Sequence, residues 1–202
     1  MALVKYNNRS ILNVTALGSL SSGDMNLITT NTISSGVSSS SFTSNIDSTY
    51  DTYMFKLINI HPADNNVNFT VNFRDGSSAF DAVKQTSVFF GNGVESDSGQ
   101  QLASSAGSDL AQSTGYQRIT DTLGNDNDAS CSGTLFLFSP SSTTHVTHFL
   151  SRVNLMWSGA GPIDWFVQGY CDVTTAIDGV DFKFASGNID SGVIKMYGLS
   201  KS

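Results

Sequence analysis

The sequence predicts an all-β chain: an antiparallel β-sandwich, jelly-roll-like, with an extended N-terminal arm. Three observations carry this. In residues 67–73, Val67, Phe69, Val71 and Phe73 alternate with Asn68, Thr70 and Asn72, the period of a strand with one face on a core. Many other short apolar runs follow, separated by clusters of Gly, Pro, Asn, Asp and Ser. Helical periodicity is nearly absent, so the runs belong in stacked sheets.

At 202 residues the chain fits one large all-β domain, and 13 Phe, 6 Tyr and 2 Trp within a hydrophobic share of 39% can fill one core. Charged residues make up only 13%. Hydroxyl and amide groups must then supply solubility, which suits a protein whose outer faces are partly covered by neighbours. The formal net charge is −7, and the ten Lys and Arg form no run or stripe. Nucleic-acid binding needs clustered cations that displace counterions from phosphates, so it is not expected. Met1–Arg9 has no apolar signal region and no run is long enough to span a bilayer. The expectation is a protein made in the cytoplasm without membrane insertion.

The chain divides into residues 1–44, an N-terminal arm with the first strands, and 45–202, the sandwich domain. The arm is rich in small polar residues, with strands expected at Met25–Ile33 and Val37–Thr43. An arm this poor in core formers is either a frayed terminus or a segment ordered by a neighbouring subunit. Tyr50–Ile60 reads as a long strand, followed by turn chemistry at His61–Asn66 and by the alternating segment. Burying its four apolar side chains is worth roughly 6–12 kcal/mol gross, and a one-residue slip would expose all four. Lys84–Phe90 is the next strand. Residues 91–130 are irregular; Leu110, Tyr116, Ile119 and Leu123 anchor a loop or short strand, and Ser108–Ser113 carries a weak helical-turn signal. Gly133–Phe138, Thr144–Trp157 and Ile163–Asp172 follow, the last two joined by Ser158–Pro162. Val180–Ala185 and Val193–Gly198 close the chain.

Catalysis needs convergent groups with tuned pKa values, and none can be assembled from these residues. His61 precedes a proline in a turn. His145 and His148 are three apart in an expected strand and point to opposite faces. No nucleophile elbow, phosphate loop or zinc-protease helix is present. Glu95 is the only glutamate and the aspartates cluster in loops, so no glycosidase-type carboxylate pair can be named. No catalytic, cofactor-binding or metal residue is assigned. Asn125–Asp128 offers clustered oxygens for calcium, but without the flanking helices, glycine and glutamate of an EF-hand it reads as a solvated turn. Cys131 and Cys171 read as buried small hydrophobes, with a disulfide as the alternative. Trp157, Trp165 and Tyr170 can serve core, subunit interface or sugar stacking. Leu135–Phe138 and Trp165–Gln168 carry apolar groups on both faces, the pattern of strands covered on both sides by the fold or by a partner.

Four stretches carry a resemblance: MALVKYNNRSI, SFTSNIDSTYDTYMFKLINIHPA, LAQSTGYQRITDTLGNDND and AIDGVDFKFASGNIDSGVIKMYGL. Together they resemble structural proteins of marine tailed bacteriophages. Most distinctive is the ending, with a Phe-rich strand, Ser-Gly-Asn, a small loop and Ile-Lys-x-Tyr-Gly, similar to endings of tail-fibre-like and other virion proteins. The resemblance implies a non-enzymatic virion structural protein at the surface of the phage particle, made in the host cytoplasm. As a tail-fibre-like or tail-associated appendage it would contribute to host attachment; the alternative is a capsid decoration or cement protein that stabilises the outer shell. The expected partners are copies of itself, with a trimer as the expected state, other virion proteins, and a host surface glycan met by the 91–130 stretch. No cofactor is implied.

Overall fold

A computed structural model describes residues 25–94, 99–159 and 161–199. Twelve strands build the fold: β1 (Met25–Ile33), β2 (Ser40–Phe42), β3 (Thr52–Pro62), β4 (Val67–Arg74), β5 (Lys84–Asn92), β6 (Gln101–Ser104), β7 (Gln117–Leu123), β8 (Cys131–Phe138), β9 (Thr147–Met156), β10 (Pro162–Cys171), β11 (Gly179–Phe184) and β12 (Ile189–Leu199). They form two antiparallel sheets. The larger has the order β1-β12-β3-β8-β9-β10-β5-β6 and the smaller β2-β11-β4-β7. Residues 25–42, which the sequence groups with the arm, supply an edge strand to each sheet through β1–β12 and β2–β11 pairing. The arm before Met25, and Glu95, lie outside the described residues.

One apolar core fills the space between the sheets. Val67, Phe69, Val71 and Phe73 of β4 point into it and are at most 6% exposed. Phe182 of β11 meets Phe42, Phe55 and Phe69 at ring-centroid distances of 6.3, 5.6 and 6.0 Å, tying the small sheet to β3 of the large one. Trp165 is also a core residue, 2% exposed and stacked on Phe90 at 5.4 Å, and its indole N–H finds no hydrogen-bond partner among the described residues. Cys131 and Cys171 are free and buried, as small hydrophobes. Burial pushes the Cys131 thiol up and the Cys171 thiol up to about 12.

The sequence left a polar face for β4, and here the structure differs. Asn68, Thr70 and Asn72 are buried as well. Their polar atoms have partners that no sequence pattern shows. Asn68 Nδ2 donates to the Thr120 carbonyl, Thr70 Oγ1 donates to the Lys183 carbonyl, and Asn72 Nδ2 donates to the carbonyls of Phe80 and Thr114. Residues 91–130 are likewise more regular than expected. β6 adds to the edge of β5, and β7 pairs with β4. The helical turn is a 3-10 turn at Ala106–Ser108, not at Ser108–Ser113. Beyond it the chain runs beside β5, because the carbonyls of Leu110 and Ser113 accept from the Thr86 and Lys84 amides. β3 runs on to Pro62, so His61 is a strand residue opposite Ser191 rather than a turn residue. β9 begins only at Thr147. His145 therefore sits in the preceding bend, where its amide donates to Ser142 Oγ.

Gly133 of β8 stands where the backbones of β8 and β9 come closest. A Cβ there would lie 2.3 Å from the Arg152 carbonyl oxygen and 2.7 Å from Val153 Cα, both backbone atoms. Gly133→Ala is expected to part the two strands and cost about 1–3 kcal/mol of unfolding free energy in urea titration. An unchanged midpoint would show that the strands have slack at that point.

Candidate functional site

The residues that could carry function in this chain lie on the outside of the large sheet, and strand alternation puts them there. On β8, Leu135 and Leu137 point to the core while Phe136 and Phe138 point out; on β10, Trp165 and Val167 point in while Phe166, Gln168 and Tyr170 point out. Cross-strand register then assembles the outward residues of separate strands into rows. A middle row runs Leu27, Tyr197, Met54, Phe136, Leu150 and Gln168 across six strands. To one side lies the row Leu199, Thr52, Phe138, His148 and Tyr170. To the other side lies Lys195, Lys56, Thr134, Arg152, Phe166 and Phe89.

The face is apolar and open. Met25, Leu27, Phe89, Leu102 and Leu150 are the exposed large hydrophobic residues among those described, and all five lie on it; Leu102 is 79% exposed and Leu27 54%. Phe89 stacks on Phe166 at 4.6 Å and 6°, and Phe136 stacks alongside Phe138 at 6.3 Å. Two hollows indent the surface. One of about 530 Å³ lies between Gln85, Ser87, Phe138, His148 and Tyr170. The other, of about 290 Å³, is lined by Phe89, Thr134, Phe136, Arg152 and Phe166; Leu150 and Gln168 border both.

Charge within the three rows is of one sign, and Asp164 beside them supplies one carboxylate. Within the three rows the charged residues are Lys56, Lys195 and Arg152, in a chain with a net charge of −7. Arg152 is matched: it forks onto Asp164 at 2.6–3.1 Å, and its guanidinium lies 4.9 Å from the Phe166 ring centroid. Lys56 and Lys195 stand directly opposite each other on β3 and β12, an arrangement that costs energy in an isolated sheet.

Sequence reasoning scattered the other candidates; the structure brings His148 onto Tyr170 and places His61 beside Asn127 and Asp128 in one polar hollow, and leaves the rest apart. His148 edges onto Tyr170 at 5.8 Å on the outer face. His61 Nδ1 is 2.6 Å from the Ala129 carbonyl oxygen. Trp157 Nε1 donates to Thr122 Oγ1, fixing the turn after β9 to β7. Asn125–Asp128 is a turn in which Asn125 Nδ2 donates to the Ala63 carbonyl and the Asp126 carbonyl accepts from the Ala129 amide.

A second polar cluster was invisible in the sequence. Lys84 is fully buried, and its Nζ donates to Asn72 Oδ1 at 2.5 Å and to the Ala82 carbonyl at 2.6 Å. Burial lowers the Lys84 ammonium pKa to about 8, opposed in part by the field of Cys171, its partner in register across β10 and β5. This cluster is sealed from solvent and holds β5 to β4; it offers no access to a ligand.

Fold and face together define a class of protein: a β-sandwich whose larger sheet is coated on its outside with aromatic and aliphatic side chains that nothing in the chain's described part covers. Compared with known proteins, the chain matches no family model and no curated protein.

Proposed function

We propose that the protein is a non-enzymatic structural component of a tailed-bacteriophage particle, a tail-associated surface appendage that contributes to host attachment. The observation that carries this reading is the open apolar face of the eight-stranded sheet. A contiguous apolar surface of this extent on a soluble domain marks a protein–protein contact. The resemblance of the four sequence stretches to virion structural proteins supplies the setting. A surface poor in charge also suits seawater, where the Debye length is roughly 3 Å and exposed ion pairs add little. The head-decoration reading shares the same face and differs in the location of the copies. Repeated weak contacts with a surface glycan gain about 10²–10⁴ from avidity, so a single copy need not bind tightly.

Labelled antibodies against the protein, viewed on intact particles by electron microscopy, test this directly. Label confined to the tail is the expected result. A regular array of label over the head would replace the appendage with the decoration role, and particles carrying no copy would end both.

A further inference from the structure

We infer that the outer face of the large sheet is where this chain pairs with a second copy of itself, the two sheets meeting face to face about a twofold axis that runs along the strands between β8 and β9. This rests on the reading of the face as an assembly surface and not on where in a particle the protein sits.

The choice of occupant follows from what each surface offers. All the exposed large hydrophobic residues among those described are on this face, so the same face of another copy is the surface of this chain best able to match it. Eight strands about 4.8 Å apart span roughly 34 Å, and three rows of side chains cover roughly 20 Å along the strands. The resulting area, roughly 700 Å² per copy, is close to the roughly 800 Å² that each partner contributes to a standard stable interface. Twofold dimers are also the commonest closed assembly, and they use one patch twice.

The row pattern selects the axis. The strand order β1-β12-β3-β8-β9-β10-β5-β6 has its midpoint between β8 and β9. Rotation about an axis there, parallel to the strands, lays each row on itself with the strand order reversed. β3 then faces β10 of the other copy and β12 faces β5. Lys56 falls over Phe166 and Lys195 over Phe89, the stacked ring pair at the other end of the same row. The two opposed ammonium groups that cost energy side by side in the monomer are thus set over the stacked ring pair and away from Lys56 and Lys195 of the other copy, with Phe166 itself already held between Phe89 and the Arg152 guanidinium. In the middle row Phe136 meets Leu150, and Arg152, already bound to Asp164, meets the neutral Thr134. An axis running across the strands would give the lysines only Leu199 and Thr52. The unit is a dimer, in place of the trimer expected from the sequence.

Two measurements on the full chain decide the matter. In the first, light scattering at micromolar concentration is expected to give a dimer for the natural chain and a monomer for Leu150→Lys, with both showing the same far-ultraviolet circular dichroism; Leu150 is half-exposed, so this change leaves the core intact. In the second, a short bis-maleimide is applied to Lys56→Cys and Phe166→Cys chains, singly and mixed. Cys131 and Cys171 are buried and do not compete. Cross-linking is expected in the mixture and not in either variant alone. A natural chain that stays monomeric overturns the inference, as does a Leu150→Lys chain that remains a dimer. Cross-linking of Lys56→Cys to itself overturns the axis. A confirmed dimer that is missing from phage particles would leave this inference standing and remove the functional reading, while monomers that nevertheless label the tail would do the reverse.

Discussion

Phe182→Ala is expected to lower the unfolding free energy by about 3–5 kcal/mol, the largest effect of any single truncation considered for this chain. Phe182 is fully buried at the centre of the small sheet, where β11 lies between β2 and β4. Its ring touches Phe42 and Phe69 within that sheet and Phe55 across the sandwich. Truncation removes the contact between layers and leaves a cavity walled by three rings, each fixed by its own strand and unable to collapse into the space. Phe166→Ala provides the contrast. Its half-buried ring stacks on Phe89 and under Arg152 at the outer face, away from the core, so its loss should cost the monomer less than about 1 kcal/mol. Urea titration of both variants measures the difference. Similar costs for the two would mean that the core is not organised around Phe182.

The core was legible in the sequence wherever alternation was clean. Val67 to Phe73 declares an inward face and points inward in the structure, whereas in Leu135–Phe138 and Trp165–Gln168 both faces are apolar and only the structure shows that Leu135, Leu137, Trp165 and Val167 are the inward set. That doubling also marked the outer side of these strands as apolar, and the structure leaves that side open among the described residues. What no single segment could show is that Phe136, Leu150, Met54 and Tyr197, from four separate strands, line up in one row. That alignment is set by register between strands distant in sequence, and it turns scattered apolar residues into a surface. The polar misreadings have a common cause. Asn68, Thr70, Asn72, Gln117 and Lys84 look like surface residues because burying them is costly, yet each meets a hydrogen-bond partner contributed by another segment. β7 was hidden in the same way: Gln117 and Thr120 interrupt its apolar pattern, and both are buried and bonded.

The buried lysine and the two buried thiols also fix how stability should vary in mild alkali. Lys84 has a folded pKa of about 8 against 10.5 when free, because burial disfavours the ammonium. Between those values the unfolded chain holds the extra proton, so stability rises with pH by about 1.4 kcal/mol per unit. The whole Lys84 contribution is about 3 kcal/mol, withheld below pH 8 and released by about pH 10.5. The thiols act with the opposite sign. Both are held protonated in the fold, Cys171 up to about 12 and Cys131 likewise raised, while in the unfolded chain they ionise near 9. Above that pH the unfolded state lacks two protons that the fold retains, and stability falls by about 2.7 kcal/mol per unit from the pair. From pH 8 to 9 the lysine alone acts and the urea midpoint should climb. Above 9 the pair outweighs it and the midpoint should drop, giving a maximum near pH 9 well above the sequence pI of 4.6. Lys84→Met should abolish the rise while keeping the fall. It removes a desolvated charge but also takes one donor from Asn72 Oδ1, which keeps the Phe73 amide, and one from the Ala82 carbonyl, so its stability at neutral pH reports the balance of those costs. A Cys131→Ala, Cys171→Ala chain should show the reverse and keep climbing past pH 9 until the tyrosines of the unfolded chain ionise. Urea midpoints from pH 7 to 10 on the three chains test each limb separately, and a natural chain whose midpoint is flat from 8 to 9 would show that Lys84 still holds its ammonium proton in the fold at pH 9.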